Sequence, residues 1–126
     1  MRPSIRTIII LSGLLLLAPS SYAANDGHEL LEYCSEAEKF MDTNNASLDE
    51  GKVNTCFGLV EGVRATMYAF GNDNPLKTCF LEGGIDNGQA TRIVLAYLRK
   101  NPASLHKNRA YLVMLAFLDA YPCRSV

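Results

Sequence analysis

The chain has 126 residues, 48% of them hydrophobic and 20% charged, with thirteen acidic residues against twelve basic ones. That length is one domain's worth and supports one modest hydrophobic core. The faintly acidic balance excludes the basic face that nucleic acid requires and the polybasic patch that an anionic bilayer attracts.

The N-terminus reads as a secretory leader. Met1 to Thr7 carries Arg2 and Arg6 and no acid, Ile8 to Leu17 is almost wholly apolar, and Ala18 to Ala23 supplies small residues around Tyr22. This is the n-region, h-region and cleavage site of a signal peptide. The apolar run falls short of the roughly 20 residues that span a bilayer. No cysteine stands near the expected cut after Ala23, so no lipid anchor is expected. The expected organisation is a leader over residues 1–23 and a single domain over 24–126. With Arg2 and Arg6 removed, ten basic residues face thirteen acids, a mature charge of about −3.

Four helices follow and no convincing strand. The spacing predicts the first over about Glu29 to Met41, with Leu30, Cys34, Ala37 and Met41 on one face. His28, just before it, is expected on a frayed end. Asp42-Thr-Asn-Asn45 breaks the pattern. Ser47 with Glu50 has the capping-box spacing for a second helix, about Leu48 to Phe70, whose stripe is Val53, Cys56, Phe57, Val60, Val63 and Met67. Gly58 and Gly62 lie one turn apart inside it, and each costs about 1 kcal/mol relative to Ala. Close approach of another helix backbone would offset that cost. Tight packing within the chain is the preferred expectation, and a dimer seam is the alternative.

Residues 71–88 form the longest irregular stretch, with Pro75, Gly83, Gly84 and Gly88. A loop this long in a small domain is functional or tied down, and Cys79 would tie it. Asp86 caps the third helix, with Gln89 in the answering position. That helix runs to Lys100, with Ala90, Ile93, Val94, Tyr97 and Leu98 inward. Asn101-Pro102 stops it and opens the fourth, proline being well placed in a first turn. His106 would then stand in the fourth helix's first turn. Ala110 to Leu118 is apolar nearly all round and predicts the central, most buried element.

Cys34, Cys56, Cys79 and Cys123 form an even set in a small exported domain, which reads as a disulfide framework. Zinc ligation is the rival, but it expects close-set pairs and no C-x-x-C occurs. Free buried thiols or a bridge between subunits complete the alternatives. Four cysteines allow three pairings. The first two helices share a short loop, with Cys34 about two turns before it and Cys56 about two turns after it, so antiparallel packing sets them level. Cys79 precedes the second hairpin and Cys123 follows it, at the same open end. The expected pairs are therefore Cys34–Cys56 and Cys79–Cys123.

Candidate catalytic groups are scarce. His28 and His106 are the only histidines, and no G-x-S-x-G, HExxH or phosphate-gripping glycine motif occurs. A Cys–His nucleophile needs a thiolate, which paired cysteines do not supply. Glu36, Glu38, Asp49 and Glu50 read as ordinary solvated acids on helices. Neither a catalytic residue, a metal site nor a cofactor is expected.

The second half reads Cys79-Phe-Leu-Glu-Gly-Gly-Ile-Asp-Asn-Gly-Gln89, Arg92-Ile-Val-Leu-Ala-Tyr-Leu98, Asn101-Pro102, His106, Ala110 and Ala120-Tyr-Pro-Cys123. Upstream stand Leu30-Leu31 with Cys34, and Cys56-Phe-Gly-Leu-Val-Glu-Gly62. Together these resemble the Rap/Tai immunity family of type VI secretion, also described as HdeA-like. The Gly-Gly at 83–84 departs from the family's loop. The resemblance implies an all-α, disulfide-bonded bundle of four or five helices in the periplasm, often a homodimer. It further implies binding and inhibition of a peptidoglycan amidase effector, with no catalysis by the immunity protein itself. The expected plug for the amidase groove is loop 71–88, offering Asp73, Glu82 and Asp86; this choice rests on loops carrying function, and capping is the stronger role for Asp86. A small periplasmic chaperone or stress protein is the alternative from another class. A partner unrelated to cell-wall hydrolysis is a third.

Overall fold

The computed structural model describes residues 25–44, 48–70, 78–81 and 84–123. Four helices pack into one bundle: α1 (Gly27–Thr43), α2 (Glu50–Phe70), α3 (Asn87–Lys100) and α4 (Arg109–Ala120), with a 3-10 turn at Pro102–Ser104. Among the described residues there is no strand, only two isolated bridges, Asp26 with Asn108 and Thr78 with Pro122. The all-α fold expected from helical periodicity is the fold observed.

Each helix begins at a residue able to take up its orphan amides. Asp26 accepts from the N–H groups of His28 and Glu29. Asp86 accepts from Gln89 N–H at 2.8 Å, and Asn108 from those of Ala110 and Tyr111. At the start of α2, Asp49 accepts from Lys52 N–H; the expected cap, Ser47, lies outside the described residues. Helix α1 closes on Asn44 in the left-handed region, φ 48°, with its N–H donating to Phe40 O, a C-terminal arrangement open to asparagine.

The core gathers one face from each helix: Leu30, Cys34 and Ala37; Val53, Cys56, Val60 and Met67; Ala90, Val94, Leu95 and Leu98; Leu112, Val113, Ala116 and Phe117. Cys34 is bonded to Cys56 and Cys79 to Cys123. The first bond joins α1 to α2 at one level. The second fastens the segment before α3 to the end of α4.

Three expectations are corrected. The fourth helix does not begin at Pro102. Asn101 leaves helical geometry, with φ −122° and ψ 59°, and α4 starts seven residues beyond Pro102, at Arg109. The intervening turn is needed elsewhere, because its backbone receives the start of α1. Gly27 N–H donates to Leu105 O at 2.7 Å and Lys107 O at 3.1 Å, and Arg109 N–H donates to Asn25 O at 3.0 Å. A continuous helix would consume those groups internally. His106 consequently sits exposed in this turn, and His28, although exposed, stands on a capped and docked helix start rather than a frayed end. Helix α4 buries Leu112, Val113, Ala116 and Phe117 and leaves Tyr111, Asp119 and Ala120 exposed, and α3 buries Ala90, Thr91, Val94, Leu95 and Leu98.

Gly27 shows how tight the α1 docking is. A Cβ there would lie 2.9 Å from both Leu105 Cα and Leu105 O, and 2.4 Å from Leu112 Cδ1. Backbone atoms cannot swing aside as a side chain can. Gly27→Ala is expected to destabilise the fold by about 1–3 kcal/mol, read as a lowered urea midpoint; an unchanged midpoint would contradict the docking described.

Candidate functional site

Two surfaces stand out once the core and caps are accounted for. The first lies at the end of the bundle where α2 runs out and the segment before α3 returns. Phe80 is held there edge-on to Phe117, with centroids 5.6 Å apart, and tilted against Tyr121 at 5.5 Å. Cys79 N–H donates to Tyr121 O at 2.9 Å. With the Cys79–Cys123 bond, these contacts pin the chain on both sides of Cys79. Arg64, Tyr68, Phe80, Gly84 and Ile85 line a hollow of about 340 Å³. Tyr68 is 72% exposed and Leu81 59% exposed, large apolar surface for so small a domain.

Of the acids expected to meet a partner, Asp73 and Glu82 lie outside the described residues. Asp86 is occupied as the cap of α3, the stronger of its two expected roles. Tyr68, Phe80 and Leu81 were not among the expected contact residues. The available signal was an aromatic at 68, off the α2 stripe and just ahead of the Gly71-to-Pro75 break.

The second surface is the outer face of α2. Among the described residues a Cβ at Gly58 or Gly62 would meet nothing within 4 Å, so the expected close packing is not made by the helices of this bundle. They line an apolar groove of about 450 Å³ with Leu59, Val63, Phe70 and Met114 among others. The exposed positions Gly51, Asn54, Thr55, Ala65, Thr66 and Ala69 carry no charge, whereas Glu50 is exposed at the start of the helix and Glu61 pairs with Arg64 on it. Solvent-facing helix positions are ordinarily rich in Lys, Glu, Arg and Asp.

Ion pairs also join the helices to one another. Glu38 pairs with Arg99 at 2.6 Å and Arg92 at 3.6 Å, and Arg92 also holds Asp42 at 2.6 Å. Glu29 pairs with Arg109 at 2.8 Å and Glu32 with Lys52 at 2.6 Å. Glu38 is thus not the ordinary solvated acid its sequence context suggested. The Arg99 hydrogen bond holds its carboxyl below the usual range, against an opposing contribution from burial.

Among the described residues no group of three or more His, Cys, Asp or Glu could hold a metal ion. No described helix is long and apolar enough to cross a membrane. All four cysteines are bonded, so none supplies a thiolate. The arrangement defines a disulfide-clasped helical domain with two exposed apolar surfaces. The chain matches the family of Rap1a immunity proteins over residues 26–123 and belongs to it. The match runs from the Asp26 cap to Cys123, the whole of the clasped bundle. No curated protein and no solved structure matches the chain.

Glu38 gives a pH prediction with a definite sign. Its folded value is lowered, so its stabilisation is present above the unfolded carboxylate value and is lost as pH falls through the folded one. Glu38→Gln is expected to cost about 0.5–1 kcal/mol at neutral pH, the scale of a partly exposed network. The gap from the parent should close in acid, where both side chains are neutral. Urea denaturation at neutral and acidic pH checks this, and a gap that persists in acid contradicts it.

Proposed function

We propose that this immunity protein is exported to the periplasm after loss of residues 1–23. There it binds and inhibits a type VI secretion peptidoglycan amidase effector, protecting the cell from its own or its siblings' enzyme. The observation that carries this reading is the family match, coextensive with a domain whose two disulfides suit an oxidising compartment. Loop 71–88 is the proposed contact. It leaves the bundle beside the exposed Tyr68 and returns through the pinned Phe80, so aromatic surface adjoins acidic residues in the chain. Aromatic anchors supply affinity at interfaces, and acids such as Asp73 and Glu82 would steer a complementary enzyme into place. Asp73→Asn with Glu82→Gln is expected to weaken inhibition of the cognate amidase about tenfold, chiefly through slower association. Stopped-flow binding and a peptidoglycan cleavage assay read this directly, and unchanged inhibition removes the loop from the account.

Self-association belongs to the same proposal, with its seam on the bare face of α2. Gly58 and Gly62 straddle the midpoint of a 21-residue helix. A two-fold axis near Val60 would set Gly58 of one copy against Gly62 of the other in an antiparallel crossing, with Phe70 near the partner's glycine-bearing first turn. An isologous contact of this kind is the commonest route to a dimer. Gly62→Leu is expected to preserve the helical spectrum, because among the described residues no atom lies within 4 Å of a Cβ there. It should shift the chain from dimer to monomer in sedimentation equilibrium. Equal self-association by parent and variant would place the seam elsewhere.

A further inference from the structure

The two disulfides occupy opposite environments. Cys34 and Cys56 are both 0% exposed, inside the core between α1 and α2. Cys79 is exposed and Cys123 half-buried, both in non-helical chain at the rim of the bundle. An incoming thiolate must reach a sulfur to exchange with it. The core bond offers no approach without separating two helices, whereas the rim bond offers one at Cys79.

We propose that Cys79–Cys123 is a thiol–disulfide exchange site, a clasp that a dithiol opens while the bundle stays folded. In the first step one thiolate of the dithiol attacks Cys79 Sγ. The Cys79–Cys123 bond breaks, its electron pair leaves on Cys123 Sγ, and that thiolate takes a proton. In the second step the other thiolate of the dithiol attacks its own sulfur in the mixed disulfide. Cys79 is released as a thiolate and protonated, and the dithiol departs as a disulfide. Two electrons pass from the dithiol to the cystine.

The open clasp keeps a template for reclosing. Phe80 still packs on Phe117 and Tyr121, and Cys79 N–H still donates to Tyr121 O. Both contacts hold the two sulfurs' backbones together, so the chemistry is reversible. What changes is the grip on the chain at Cys79 and Phe80, inside loop 71–88, now held by one aromatic side chain and one hydrogen bond. The oxidised clasp therefore sets how firmly that loop is presented, a consequence that rests on the loop being the contact surface.

The test uses the full mature chain, oxidised, with dithiothreitol as the dithiol. The four thiols are trapped by an alkylating agent and quantified by peptide mass spectrometry while circular dichroism follows helicity. Labelling of Cys79 and Cys123 is expected roughly 100-fold faster than that of Cys34 and Cys56, with helicity retained. Labelling of all four at one rate, or loss of helicity with the first pair, overturns the clasp. Cys79→Ser with Cys123→Ser reads the consequence: inhibition of the amidase about tenfold weaker than by the oxidised parent, equal inhibition overturning that part. An oxidised parent that fails to inhibit at all tells against the amidase reading alone, because the labelling result decides the exchange chemistry by itself.

Discussion

The buried Cys34–Cys56 bond fixes the level at which α1 meets α2, and the rest of the bundle is registered against α1. Above that level the start of α1 docks through Gly27 on the backbone of Leu105 and Lys107. Below it, Glu38 and Asp42 reach across to Arg99 and Arg92 on α3. One helix is therefore held by a covalent bond to α2, by main-chain hydrogen bonds to the turn before α4, and by ion pairs to α2, α3 and α4. Their weights differ. Closing a 22-residue separation with a disulfide removes about 3 kcal/mol of freedom from the unfolded chain. Ion pairs at partly exposed sites contribute well under half of that each. The charges on α1 choose which face of α3 it meets more than they hold it there.

With α1 committed on three sides, the molecule's free surface falls to α2 and to the aromatic end. Two glycines in the middle of α2 cost about 1 kcal/mol apiece, and nothing among the described residues packs close enough to offset that. The groove beside them is lined by Leu59, Val63, Phe70 and Met114, while Glu61 and Arg64 pair on the same helix.

Much of the fold could be read from residue spacing. The stripes Leu30-Cys34-Ala37 and Val53-Cys56-Val60-Met67 are buried as periodicity implies, because burying an apolar stripe is a property of side chains, which the sequence spells out. The Asp86 cap was legible for the same reason. The boundary of α4 was not. Pro102 suits a first helical turn, but it equally suits a 3-10 turn, and the choice was made by main-chain bonding to Gly27 and Asn25. Backbone-to-backbone contact leaves no residue signature beyond a glycine where a Cβ would collide. Glu38 was opaque too, since its partners stand 54 and 61 positions away, on a helix whose rotation about its own axis only the packed bundle sets.

The candidate site was the least legible part, and the reason is physical. A binding surface needs no fixed chemistry at fixed spacing, as a metal centre or nucleophile would. It needs shape held still before the partner arrives, since ordering it afterwards subtracts from affinity. In the proposed contact that task falls to Phe80, wedged against Phe117 and Tyr121, and to the rim disulfide, while the core disulfide joins α1 to α2. Under that proposal the two cross-links, one sealed in the core and one at the edge, divide stability from presentation. A single disulfide shared by both tasks would make any loosening of the loop a loosening of the fold.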